Sequence, residues 1–502
     1  MLKAYVLLVV FALAFLVPLA ARAQQPTAAP EPIPSPQGFP PLPPDPYQDQ
    51  LEPLPPLEEE LWLHGGSYLY QPEGDHLNWP GECLDQHYQV LRLPEDWCAP
   101  QPVTLFDDYL GTGPIPYGPR LRWPHCGYSW DPRFVMYGAY QVLGIALEAD
   151  NRRQDLIGHQ LFVDMDFQLT GTERAHVQWR PIGERNTGGS YYQFSNPSGY
   201  VDNSTVIPER YWIEAELASV LGGFIHDPFI PRDVHVVAGK FPVELHNRLL
   251  VNDEILGFAV NKNTIYAGDL SNLNLQAIFA LDDVEAFDDG SAEFYGVNAF
   301  IDYRHIFLEA TYAYLHHNRL SGRDADYLAF SATKLLGTTT VAGRALFKIG
   351  DRAGTGSGQL YVIECNRLRV FDHKPLGVEK AVAYATAFRA SRGWNAISGG
   401  NFDRLRLAFA VDPLVNITAN PAFADNTGVA AGVQFFRHHE DESIIPEVAY
   451  QSPGGTSVFG IGLRYQRKTS VRSFFEAEGI VNFSDDSMFQ REGVFVSQTF
   501  VF

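Results

Sequence analysis

From about Asp131 to the last residue, the chain keeps setting an apolar face against a charged one. Side chains of a β-strand point to opposite faces with period two, so this pattern describes a sheet with one dry side and one wet side. Ala175, Val177 and Trp179 oppose Arg174, His176, Gln178 and Arg180. Val341, Gly343, Ala345 and Phe347 oppose Arg344 and Lys348. Leu405, Leu407, Phe409 and Val411 oppose Arg404 and Arg406. Phe459, Ile461, Leu463 and Tyr465 oppose Arg464 and Gln466, and Phe475, Ala477, Val481 and Phe483 oppose Glu476 and Glu478. The runs at 134–148, 293–301 and 305–315 keep the same period, with Leu143, Ile145 and Leu147 sharing one face of the first. Trp179, Tyr314, Tyr465 and Phe483 fall at strand ends. Charged face, apolar face and terminal aromatics together are the pattern of a transmembrane β-barrel.

The other end of the chain bears on the same question. Residues 1–23 read as a secretory signal: Lys3 at the front, an apolar run from Tyr5 to Leu19, and Ala21 and Ala23 at the cleavage positions. No Cys follows the cleavage point, so a lipid anchor there is not expected. Nothing later offers about 20 consecutive apolar residues, the length a helical span needs. An exported chain without such a helix is either soluble outside the inner membrane, as a secreted β-sandwich would be, or sits in the outer membrane as a closed barrel. The mean hydropathy of −0.14 agrees, because a barrel keeps one face polar. The formal charge is −22, and near −24 once Lys3 and Arg22 leave, which argues against a nucleic-acid partner.

Three segments follow the signal. Residues 24–60 hold 13 of the 35 prolines and read as an extended linker, a plain spacer or a tether to the cell wall. Residues 61–130 carry Cys83, Cys98, Cys126 and five Trp with no lasting period, and read as an irregular periplasmic or plug module. Residues 131–502 are the barrel. At about 40–46 residues per strand-turn-strand-loop unit, 372 residues give roughly 16–18 strands. A barrel of that size is expected to hold a watery channel rather than a packed core. The expected fold is therefore all-β: an antiparallel transmembrane barrel of roughly 16–18 strands with a Pro-rich N-terminal extension.

The residues expected to line the pore are Arg174, Arg180, Arg344, Lys348, Arg404, Arg406 and Arg464. Rings of charge in a pore select ions. These would draw anions, unless inward acids such as Glu309, Glu476 and Glu478 pair with them. No catalytic residue, cofactor or metal is expected. His316-His317 and His438-His439 cannot act as pairs within a strand, since neighbours face opposite ways. In a loop, His439 with Glu440 and Asp441 could hold a divalent cation, but a solvated turn is the simpler reading. Export permits disulfides among Cys83, Cys98, Cys126 and Cys365, in any of three complete pairings.

Two stretches carry a family resemblance. The last ten residues, Gly493 to Phe502, resemble the closing strand of bacterial outer-membrane barrels, which ends in Phe. Phe500 and Phe502 would then be the signal read by the barrel-assembly machinery. Within 236–264, Gly239-Lys240-Phe241-Pro242 is similar to the strand-to-loop passage of phosphate-selective-porin-like barrels. Asn247-Arg248-Leu249 and Asp253 to Gly257 are similar to alginate-export-type barrels. The two internal resemblances imply an anion-conducting or polysaccharide-conducting porin, and the chain is expected to be an outer-membrane porin giving passive passage to small hydrophilic, anionic solutes, surrounded by lipid and compatible with a homo-oligomer. The alternatives are a structural protein tethered to the cell wall through 24–60, or a barrel enzyme.

Overall fold

The structure is a computed structural model describing residues 121–122, 129–130 and 133–502, except 150–151, 169–172, 184–188, 223–232, 267, 269, 287–291, 320–321, 353, 374 and 399–423. The signal segment 1–23, the linker 24–60, nearly all of 61–130 with Cys83, Cys98 and Cys126, and the expected strand at 405–411 with Arg404 and Arg406 lie outside the described residues. From 61–130, only β1 (Leu121–Arg122) and β2 (Ser129–Trp130) are described, as an antiparallel pair.

The other strands close into one antiparallel barrel. In chain order they are β3 (Arg133–Ala149), β4 (Arg152–Gln168), β5 (Arg174–Ile182), β6 (Ser190–Gln193), β7 (Gly199–Val201), β8 (Arg210–Glu216), β9 (Val234–Leu245), β10 (Val251–Ile265), β11 (Asn272–Asp282), β12 (Ala292–Tyr303) and β13 (Ile306–His317). They continue as β14 (Ala325–Leu336), β15 (Thr339–Gly350), β16 (Gly358–Val370), β17 (Val378–Ala390), β18 (Asn426–Arg437), β19 (Glu442–Pro453), β20 (Val458–Ser470), β21 (Ser473–Ser484) and β22 (Arg491–Val501). A short helix, α1 (Leu217–Gly222), follows β8. Both β5 and β6 pair with β4, one beyond the other; β7 pairs with β6, and β8 with β5. Each couple is thus a single wall strand interrupted by a loop, and the wall has eighteen strands.

The seam closes between β22 and β3. Phe502 and Gly138 exchange both backbone hydrogen bonds, each 3.0 Å, at the foot of that seam. Gly138 is required there: a Cβ would lie 2.8 Å from the Phe502 ring and closer still to a β4 carbonyl. Connections at this end are mostly tight. Arg304 and His305 turn β12 into β13 with positive φ at both positions, the geometry of a two-residue hairpin whose twist matches its strands. Longer connections leave the wall at the opposite end, among them those between β11 and β12 and between β17 and β18, of which 283–286, 391–398 and 424–425 are described.

The period-two expectation holds around the wall. Outward positions carry large exposed apolar side chains, among them Phe330, Ile363, Phe459, Leu463, Phe483, Val494 and Phe500. Free Cys365 also sits at an exposed, outward position of β16. Inward positions alternate with them and are buried or polar. Leu143, Ile145 and Leu147 face inward, packed with Leu156, Ile480 and Phe495.

The expectation of a lumen without a packed core needs correction. A large apolar cluster fills the lumen beside β10–β17. Wall residues Phe294, Leu315, Tyr327, Leu346 and Leu360 form one side of it. Segments that leave the wall and turn inward supply the rest. Period-two reading places residues on faces of a wall; it does not register that a stretch quits the wall.

Candidate functional site

The principal inward segment is the hairpin formed by the ends of β9 and β10. All of β9 pairs with β10, Leu245 with Val251 at the tip and Val234 with Lys262 at the base. Their outer neighbours stop earlier. The pairing of β8 with β9 ends at Lys240, and that of β11 with β10 begins at Leu256. Residues 241–255 therefore have no wall neighbours and bend into the barrel.

The bend occurs at two glycines paired across the strands, Gly239 and Gly257. At Gly239, φ is +132°, and a Cβ would sit 2.3 Å from the Tyr211 carbonyl. At Gly257 it would sit 2.0 Å from the Phe279 carbonyl, beside a register shift. Both positions need glycine because another backbone passes against them. The hairpin lies within the 236–264 stretch singled out by its resemblances. The paired glycines were the signal in the sequence that the chain leaves the wall.

One face of the hairpin is dry. Phe241, Val243, Leu245, Val251 and Ile255, with Leu249 and Leu250 of the tip, pack against the β10–β17 lining. Fully burying an aliphatic or aromatic side chain is worth about 1.5–3 kcal/mol, so seven contribute roughly 10–20 kcal/mol as an upper bound. That is far above thermal energy, and it makes the hairpin a fixed filling of the lumen. Two loops lean on it. Ile397 N–H donates to the Leu250 carbonyl (2.9 Å), and Glu285 N–H to Asp253 Oδ2 (2.9 Å). Arg352 ties these loops together by donating to the carbonyls of Ala396 and Ala286 and to the Tyr327 hydroxyl.

The other face is wet. Pro242 and Glu244 are exposed, with Asn252 and Glu254 partly so. Arg248 pairs with Glu244 at 2.5 Å. Glu254 accepts from Arg210 Nε of the wall (3.0 Å), and Lys240 pairs with Asp283 (3.1 Å). Lumen not taken up by the apolar cluster lies toward this face.

At the tip, His246, Asn247 and Arg248 all have positive φ, a conformation costly for non-glycine residues. His246 is fully buried and bonded to two wall strands, β13 and β14. Its Nε2 lies 2.8 Å from Thr311 Oγ1, its Nδ1 2.7 Å from Ser331 Oγ, and its backbone N–H donates to Glu309 Oε1 (3.0 Å). Burial, with Arg344 adding to it, pushes the imidazole down to about 3, so it is neutral at pH 7. The 3.7 Å approach of Nδ1 to Glu309 is thus not an ion pair at that pH.

The basic residues expected to line the pore have specific partners. Arg174 pairs with Glu214 (2.8 Å), and Arg180 with Glu209. Arg344 Nη2 donates to Glu364 (2.7 Å). Arg464 Nη2 donates to Glu478 (2.8 Å), with Glu476 at 3.5 Å. Lys348 points inward but is enclosed, 1 % exposed, with Nζ donating to Thr355 (3.2 Å) and Asn395 (2.9 Å). Arg404 and Arg406 lie outside the described residues.

Carboxylates match or exceed cations in these clusters. Glu447 faces a recess of about 250 Å³ that it shares with Arg464, Glu478 and Tyr384, whose hydroxyl donates to Glu447 (2.5 Å). His176 sits between Asp166 (2.7 Å) and Asp164 (3.5 Å), stacked on Trp212. Glu478 and Glu476 were named from sequence as inward acids, but Asp164, Asp166, Glu364 and Glu447 were not, because pairing partners come from different strands.

The histidine pairs do not assemble chemistry. His316 contacts Asp324 (3.0 Å), while neighbouring His317 is buried inside. In the 438–441 turn, Glu440 pairs with Lys380, Asp441 with Lys468 (3.4 Å), and His438 with Glu442 (3.2 Å). Among the described residues, no group of three His, Cys, Asp or Glu is placed to hold a metal.

No protein-family model matches this sequence, and none of the curated proteins does. Solved structures are similar to it at low identity. The outer-membrane porin OccD3 (OpdP) of Pseudomonas aeruginosa gives a TM-score of 0.45 at 10% identity, over 73% of this chain and 91% of that one. OccK2 (OpdF) of the same organism gives 0.47 at 10%, over 73% and 97%. OccAB1 of Acinetobacter baumannii gives 0.47 at 7%, over 73% and 96%.

Proposed function

We propose that this chain is an outer-membrane channel giving passive passage to small hydrophilic solutes. One observation carries the reading: an eighteen-stranded wall, apolar outside and lined inside by charged side chains, holds an inward hairpin. A wall with lipid-facing apolar residues and closed hydrogen bonding is stable only in a bilayer. The tight-turn end, with the C-terminus, faces the periplasm, and the long loops face outward.

Charge preference follows from the pairing of the wall arginines. Arg174, Arg180, Arg344 and Arg464 each have a carboxylate at contact distance. Among the described residues, the alternative weighed for these arginines, pairing with inward acids, therefore weakens the case for anions, while Arg404 and Arg406 lie outside the described residues. Carboxylates in excess around Arg464 and His176 favour small cations and neutral solutes. The test is a reversal potential in planar bilayers under a KCl gradient. Cation preference is expected. A strong anion preference would overturn the charge reading, and absence of any conductance would overturn the channel.

A further inference from the structure

We propose that His246 is the positioning residue of the constriction: it sets where the hairpin tip sits, and so how much carboxylate charge meets permeating ions. This rests on the channel reading.

The hydrogen bonds around His246 form a chain with one direction. Thr311 Oγ1 gives its only proton to Asn298 Oδ1 (2.6 Å). It can then only accept from His246, so the ring proton sits on Nε2. A neutral imidazole has no second proton, so Nδ1 accepts from the Ser331 hydroxyl. Asn298 Nδ2 in turn faces Glu309 Oε1 (3.5 Å), the oxygen that receives the His246 backbone N–H. One residue is thereby tied to β13 and β14 directly, and to β12 through Thr311.

Apolar packing cannot do this alone. Leu245, Leu249 and Leu250 hold the tip in the lumen, but hydrophobic contact has no preferred direction. Hydrogen bonds do. Three successive positive-φ residues also persist only where the surroundings over-determine them.

The position matters for charge because of the next residue. Asn247 Nδ2 donates to Glu364 Oε1 (3.0 Å), and Arg344 takes the other oxygen of the same carboxylate. With the tip seated, both oxygens of Glu364 are engaged and Glu309 is covered. With the tip displaced, Glu364 loses one partner, Glu309 loses the His246 N–H, and both turn toward water.

The test compares wild type, His246→Ala and His246→Gln in planar bilayers, using protein whose heat-modifiable migration shows an assembled barrel. Glutamine keeps one donor and one acceptor at nearly the same reach. The expected result for His246→Ala is an altered, noisier conductance and a reversal potential shifted toward cations, with His246→Gln recovering most of the wild-type behaviour. Should His246→Ala not assemble, the double variant Thr311→Val/Ser331→Ala removes the same chain from the wall side and should give the same shift. Assembled His246→Ala, or the double variant, matching wild type in both readouts would overturn the proposal. So would His246→Gln behaving like His246→Ala, since that would leave only ring packing. A wild type that does not conduct would instead remove the channel reading.

Discussion

Cutting the hairpin out is the most direct perturbation of this lumen. Lys240 and Leu256 are directly paired, so replacing 241–255 by Asn-Gly joins them through a two-residue turn. The wall keeps every strand, because β8 pairs with β9 no further than Lys240 and β11 pairs with β10 only from Leu256 onward. The size of the effect follows from geometry. Eighteen strands about 4.8 Å apart and tilted about 40° give a backbone radius of roughly 18 Å, or roughly 13 Å inside the side chains. That is an open section of about 500 Å², of which a two-stranded ribbon about 10 Å by 10 Å occupies about a fifth. Conductance should therefore rise at least about 1.25-fold, since it scales with the open section at this geometry. It should rise further if the 283–286 and 391–398 loops, which lose their contacts with Asp253 and Leu250, withdraw as well. Single-channel recording of the assembled variant measures this. An assembled variant with wild-type conductance would show that the hairpin does not define the bore, and the reasoning would fail.

Two other predictions concern acid and the seam. The folded-state value of His246, about 3, lies below the ordinary histidine value of 6.5, so an undocked tip binds protons more readily than a docked one. Docking strength is then fully present above pH 6.5 and falls as the pH drops toward 3, by about 3 kcal/mol at pH 4. Open-channel noise should grow between pH 6 and pH 4 (roughly the window between the two values) in wild type but less in His246→Gln; equal acid responses would refute the assignment, with Glu309 and Arg344 as the neighbouring charges that could then produce it. At the seam, Phe502→Ala removes the ring that occupies the space above Gly138. The fraction of chain reaching the heat-modifiable state should fall, and Gly138→Val should reproduce the fall from the opposite strand.

Much of this architecture was already legible in the residues. Alternation around Arg174–Arg180, Val341–Lys348 and Phe459–Gln466 assigned the lipid face and the lumen face before any fold was known. It could do so because a strand's side-chain direction is a local property of period two. Length then bounded the strand number, and the eighteen strands fall inside that bound. What the wall encloses was decided only in three dimensions. Phe241, Val243 and Leu245 alternate like any wall strand, yet they face a core inside the barrel because Gly239 and Gly257 turn their hairpin off the wall. Arg344 and Arg464 read as pore charges with inward acids as the alternative partners, and only the fold brought Glu364 to the one and Glu478 to the other from neighbouring strands. The sequence by itself therefore determined which residues share a face, whereas the inward turn of the apolar face on β3 and the hairpin, the partners and the filling depended on contacts between segments far apart in the chain, which no local period encodes.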